Sequence, residues 1–370
     1  MKRRQLIIVL AVMAAALAAA GAEAVKLFLE DDGSAGTVHG LTVKDMNLHP
    51  SDEFMYNENY FLIAITEAGY YGYVNILVSN TGIKSFTPGF SFTIVTPEHQ
   101  RLVRDVDFAP EDLVLQSDKF DLRLKGNYLR EVPDGYELKI SEGGLGMELR
   151  YFNQVPGFVL GNGKAVFGAG ADWFYINYPG PRPVVTGKFV IEGKEVPVSG
   201  WGYMDHSLSV TNPANFEQVW HNMKFHAQGH TVLISSFTTP EQYEKGFGLA
   251  VITDNEKVLC AFTDVRVTEG EVKVDAESGK AYPGRVTYEL VSDRCHAKAV
   301  VDCSRPTEKF DVLAKLDQKW WGKAAKAAIN TFIAKPWYYR AVEPVAVEMT
   351  IGGETKTVKG EAFNEVIFTQ

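Results

Sequence analysis

Cysteine is scarce in this 370-residue chain: Cys260, Cys295 and Cys303 are the full set, and no two form a C-x-x-C pair. A zinc knuckle and a thioredoxin-type redox centre are therefore not indicated. There is no G-x-S-x-G, so Ser207 and Ser209 lack the context of a nucleophile elbow. No G-x-G-x-x-G leads into a helix, which removes the signal for a dinucleotide fold. Positive charge is also short, with 37 Lys and Arg against 46 Asp and Glu and a net charge of −9. A chain this acidic lacks the electrostatic footprint of a nucleic-acid binder. After residue 24 no run reaches 18 uncharged apolar residues, so no membrane-spanning helix is expected in the mature chain.

What is present begins with an address. Lys2, Arg3 and Arg4 precede an unbroken apolar run from Leu6 to Ala20, and Ala22-Glu23-Ala24 supplies an A-x-A cleavage pattern. That layout predicts a signal peptide over residues 1–24 and export, to a bacterial periplasm or beyond. In an oxidising compartment Cys295 and Cys303 could pair and leave Cys260 free; three separate buried thiols is the other reading.

Aromatic residues make up 12% of the chain, a weight that suits strands and apolar pockets. Period-two or β-branched runs recur, among them Asn59–Ile65, Tyr71–Val78, Met147–Phe152, Val232–Phe237, Val345–Ile351 and Lys359–Phe368. Pro133-Asp134-Gly135, Gly143-Gly144 and Gly352-Gly353 punctuate them as turns. The pattern predicts an all-β protein of antiparallel barrels, divided into domains 25–198 and 199–370.

One segment departs from this. The 309–335 stretch is rich in Ala, Lys and Leu, and Pro336 ends it. At helical spacing Leu313, Leu316, Trp320, Ala324 and Ala327 share one face, and Lys315, Lys319, Lys323 and Lys326 another. A helix lying against a barrel with its lysines in water satisfies this pattern. The Lys stripe beside Trp320-Trp321 also suits contact with anionic lipid headgroups.

The densest chemistry runs from Gly200 to Ser207, followed by Glu217, Trp220, His221, Asn222 and His226. On a strand Trp201, Tyr203 and Asp205 would line one face, with Gly202, Met204 and His206 opposite. Adjacent Asp205 and His206 would then point apart, which disfavours a direct dyad. Trp220, Asn222 and Lys224 alternate in the same way with His221, Met223 and Phe225. His206, His221, His226 and His230 have no recognised metal spacing, so neither a metal nor a cofactor is expected. Gly200 and Gly202 call for a tight bend or a close strand approach.

The stretch Thr186–Thr239, with GWGYMDHSLSV and then FEQVWHNMKF, resembles the survival-factor family of two-domain lipocalin-like proteins. FIAKPWYYR with GGETKTVKGEAFNEVIF, and YNENYFLIAITEAGYYGYVNILVSNTG, extend the likeness over most of the mature chain. Related folds include AttH-like proteins, carotenoid hydratases, tocopherol-cyclase-like proteins and fungal Diels–Alder cyclases. The resemblance implies two calycin-type barrels meeting at an interface, and a lipid or isoprenoid ligand. Eukaryotic survival factors are associated with ceramide and sphingolipid handling; the export signal is a departure from them. Asp205 and His206 match the family's pair after the Gly-x-Gly bend, and Trp220 and Asn222 its Trp/Asn pattern.

Two functions follow as expectations. In the first the protein is a carrier, anchoring a lipid near Trp201, Tyr203, Asp205, His206, Trp220 and Asn222 in a dry hollow. In the second it is a hydratase, cyclase or isomerase of a polyene, with Asp205 as general acid and His206 or Tyr203 assisting.

Overall fold

A computed structural model describes residues 25–30, 36–80, 86–116, 118–168, 170, 172–211, 216–241, 243, 246–314, 323, 326–327 and 335–369. The expected signal peptide lies outside them. The protein is almost entirely β, built on two curved antiparallel sheets of 16 and 10 strands. The first runs from Arg101–Asp107 through Thr87–Val95, Tyr71–Ser79 and Asn57–Thr66 to Lys194–Ser209. It continues through Pro183–Ile191, Leu145–Asn153 and Gly135–Glu142 towards Leu113–Leu115. In the second, Val219–Ala227 lies between His230–Thr238 and Glu354–Phe368, and Glu354–Phe368 pairs with Trp337–Ile351. Gly352 and Gly353 turn that last hairpin with φ of 61° and 89°, the conformation a two-residue hairpin needs and L side chains resist.

Alternation along the strands sorts the apolar residues into three clusters. Tyr60, Leu62, Ala64, Met204 and Leu208 point into the first barrel. Met223, Phe225, Val347 and Met349 point into the second. The third cluster joins the two sheets, with Phe61, Ile63, Ile65, Tyr71 and Tyr203 against Leu233, Phe237, Leu249 and Phe363. The Asn57–Thr66 strand is therefore buried on both faces, which explains its nearly continuous apolar sequence.

Two expectations are corrected here. Residue 198 is not a domain boundary, because it falls inside the Lys194–Ser209 strand, which pairs with Asn57–Thr66 up to Ser209. The second sheet opens at Val219, so the chain changes sheets between those points. The disulfide joins Cys260 to Cys295, and Cys303 is the free, buried thiol. Cys295 opens the Cys295–Asp302 strand and Cys303 follows its end, so extended backbone holds them roughly 25 Å apart.

Of the helix expected over 309–335, the opening residues are instead part of the Glu308–Asp311 strand, Lys323, Lys326 and Ala327 are helical, and Lys315, Lys319, Trp320 and Trp321 lie outside the described residues. Lys323 is exposed. The Lys326 ammonium lies 2.7 Å from Asp311, so its charge is already paired.

Candidate functional site

The seam between the sheets holds the richest chemistry. Trp201 donates its indole N–H to Glu361 across the seam at 3.0 Å, and its ring stacks on His226 at 5.0 Å. Tyr203 is fully enclosed beside Lys224, whose ammonium sits 5.2 Å from its ring centre. Asp205 lies on the same face, beside the Tyr203 hydroxyl. Burial pushes its carboxyl up to about 7, against the pull of the Lys224 charge. Trp220 stacks on Phe237 at 4.8 Å, and its indole N–H has no partner among the described residues. Asn222 is buried, with Ser235 at 3.4 Å.

Five of the six expected anchors thus share the seam. His206 does not. The pleat turns it into the first barrel, where its ring stacks on Tyr60 at 4.2 Å. Its Nε2 lies 2.7 Å from Glu58, and its Nδ1 2.9 Å from the Asp45 carbonyl. His206 therefore cannot assist Asp205, which leaves Tyr203 as the expected partner within reach.

Around Asp205 the seam carries a buried ionic chain. Lys224 donates to Glu365 at 2.7 Å, and Arg340 to the other oxygen of Glu365, also at 2.7 Å. Arg340 continues to Glu308 at 3.3 Å. Glu308 in turn accepts from Arg101 and, at 2.6 Å, from the Tyr73 hydroxyl. Burial alone would raise Glu365, but Lys224 and Arg340 outweigh it and hold the carboxyl below its usual range. With Asp205 ionised the chain balances three acids against three bases.

The hollow expected beside residues 201–222 is not there. Tyr203, Asp205 and Asn222 are each at most 5% exposed, and Phe61, Lys224 and Phe363 fill the space between them. A cavity of about 10 Å³ lies further off, between Tyr282, Cys303, Tyr339 and Asn364, with room for one water and none for an acyl chain. The four histidines considered as a zinc set do not converge either. His221 bonds Glu269 at 2.8 Å in the second barrel, His226 stacks on Trp201, and His230 meets Lys356 at 2.7 Å.

Residues 12–370 match the sequence model of the Svf1 family. The chain belongs to the Svf1 family. This is the kinship that the Thr186–Thr239 stretch resembles. Ceramide-binding protein SVF1 of Candida albicans is 23% identical over 324 residues, covering 81% of this chain and 81% of that protein. The crystal structure of a putative AttH from Nitrosomonas europaea superposes with a TM-score of 0.59 at 14% identity, covering 88% of this chain and 97% of that one. Kievitone hydratase from Nectria haematococca gives 0.55 at 12% identity, covering 93% and 98%. These likenesses establish the two-barrel lipocalin-like fold.

In this Svf1-family chain the buried ionic chain around Asp205 escaped the sequence reading. The available signal was charge inside apolar strands: Lys224 between Met223 and Phe225, and Glu365 between Asn364 and Val366. Such residues are almost never fully buried unless paired. Glu58 in Asn57–Thr66 is a further case, and its partner His49 lies on a preceding loop with no periodicity to reveal it.

Proposed function

We propose that this protein binds a long-chain lipid with a small polar head, of ceramide or sphingolipid type, and carries or shields it after export. The observation that carries the reading is kinship with ceramide-binding SVF1 over four-fifths of both chains. The seam is packed solid, so binding there requires its side chains to part. An amphipathic lipid needs an extended apolar wall with a few convergent polar groups. Phe61, Phe237, Leu249 and Phe363 offer the wall, while Tyr203, Asp205 and Asn222 offer hydrogen-bonding groups beside it. Each methylene taken from water contributes about 0.8 kcal/mol, so a long acyl chain repays parting these side chains. An isoprenoid satisfies the same apolar wall.

Export is supported by the basic start, the apolar run to Ala20 and the A-x-A pattern. The Cys260–Cys295 bridge agrees with an oxidising compartment. The same reading adds contact with anionic membrane through the Lys315, Lys319, Lys323 and Lys326 stripe, in which Lys326 must first leave Asp311. Changing the four lysines to Gln then weakens vesicle binding; unchanged binding removes that contact.

A second reading rests on one feature, the Asp205 carboxyl enclosed between the two sheets with the Tyr203 hydroxyl beside it. A general acid for hydration or cyclisation of an alkene needs such a placement. One experiment separates the two. The mature protein, purified from its native host, is extracted and its lipids identified by mass spectrometry, then assayed for transfer between vesicles. An unaltered lipid, moved in a protein-dependent way, supports carriage. Conversion that Asp205→Asn abolishes supports the enzyme, and a lipid-free protein without transfer activity defeats the carrier.

A further inference from the structure

The inside of the first barrel, away from the seam, contains a second polar cluster. Glu58 is fully buried, and two imidazoles aim a nitrogen at the same carboxylate oxygen. His206 Nε2 stands 2.7 Å from Oε1 and His49 Nδ1 stands 2.9 Å from it. The other oxygen, Oε2, is engaged separately, accepting from the Tyr56 hydroxyl at 2.6 Å and the His49 backbone N–H at 2.8 Å. His206 is oriented from behind, with Nδ1 at 2.9 Å from the Asp45 carbonyl.

A carbonyl only accepts, so His206 Nδ1 carries a hydrogen; in a neutral ring Nε2 then turns a lone pair towards Glu58, and in an imidazolium it donates to the carboxylate. Two lone pairs at that distance need a positive particle between them. His49 Nδ1 faces the same oxygen, and with no acceptor at its Nε2 among the described residues a neutral ring can donate Nδ1–H to it. Either two protons or one divalent cation can satisfy both contacts. The ligand atoms of His49, Glu58 and His206 all lie within 4.8 Å of one another.

We propose that His49, Glu58 and His206 bind a zinc-class divalent cation. Two imidazoles and one carboxylate are a recurrent zinc set that leaves a fourth position open. A ring N–H held by a backbone carbonyl, and a ligating carboxylate held by a further donor, are the outer supports such sites carry. Metal bonds of about 2.0–2.2 Å require the ligand atoms to spread by roughly half an ångström. His49, 35% exposed, can supply the movement on its own side, while the enclosed Glu58–His206 pair must open from 2.7 Å within the barrel. The same exposure gives the ion its way in. The site lies across the Lys194–Ser209 strand from Asp205, so it stands apart from the seam and does not depend on the lipid reading.

The test uses the full mature protein, stripped with chelator and titrated with Zn²⁺ and Co²⁺. The expected result is one equivalent of Zn²⁺ by elemental analysis and a visible Co²⁺ absorption of low-coordinate type. His49→Ala, on the exposed side of the cluster, should weaken Zn²⁺ binding at least tenfold with the circular dichroism spectrum unchanged. Glu58→Gln serves as the second variant. Failure to hold Zn²⁺ at micromolar concentration overturns the proposal and leaves the cluster as a shared-proton network. Stoichiometric binding that survives His49→Ala overturns it as well, since the ion would then lie elsewhere.

Discussion

Lys224 and Glu365 meet across neighbouring strands, ammonium to carboxylate at 2.7 Å, with their side chains 1% and 3% exposed. Both lie on the face of the second sheet that packs against the first. Arg340 holds the remaining oxygen of Glu365, so neither charge is left alone.

Removing one partner strands the other in a dry interface. Lys224→Met or Glu365→Gln should each cost about 3–5 kcal/mol in chemical denaturation. The double variant should cost clearly less than the sum of the two, because no uncompensated ammonium remains. Strict additivity would show that the pair is not coupled.

Glu217 supplies a pH dependence. Burial alone pushes its carboxyl up to about 8, and the facing group is the Tyr338 phenol. The folded protein therefore holds a proton that the unfolded chain releases above its ordinary carboxylate value of 4.5. This contribution is fully present at low pH and is lost as pH rises from about 4.5 to about 8. Glu217→Gln should gain a few kcal/mol over the native protein at pH 8 and nothing at pH 4, measured by urea melts. Parallel pH profiles would refute the assignment.

The disulfide closes a loop of 35 residues. By the chain-entropy relation that constraint contributes about 4 kcal/mol. Cys295→Ser and treatment with reductant should lower the melting temperature to a similar degree, and reductant should have no further effect on Cys295→Ser. Peptide mapping under non-reducing conditions should return a Cys260–Cys295 species, and a Cys295–Cys303 species would contradict the pairing.

Gly202 sits where two strands approach too closely for a side chain. A Cβ there would lie 2.5 Å from the Ile63 carbonyl oxygen and 2.5 Å from a Val185 methyl. Gly202→Ala should therefore destabilise by about 2 kcal/mol or more, read as a fall in the denaturation midpoint. An unchanged midpoint would mean that the Asn57–Thr66 and Lys194–Ser209 strands can part at little cost.

That glycine shows how far local pattern reaches. Gly200 and Gly202 call for a bend or a close approach, and register decides for the approach, since Gly202 pairs with Ala64 in an unbroken ladder. Period two likewise predicts that Asp205 and His206 face apart, because the pleat is a property of the backbone alone. What that period cannot say is what each face meets. For Asp205 it is Lys224 of the second sheet; for His206 it is Glu58 and the loop bearing His49.

Alternation, turn glycines and aromatic content were thus enough to specify an all-β chain and to bring Trp201, Tyr203, Asp205, Trp220 and Asn222 to one face or another of known strands. Each depends on residues within a few positions of one another. Tertiary structure alone decided that Cys260 rather than Cys303 reaches Cys295, that the first sheet continues to Ser209, and that the space beside Tyr203 is filled. It also brought Lys224, Glu365, Arg340 and Glu308 into one chain of charges. Those outcomes depend on which distant strands become neighbours, and a buried charge acquires its partner only when two sheets close over it.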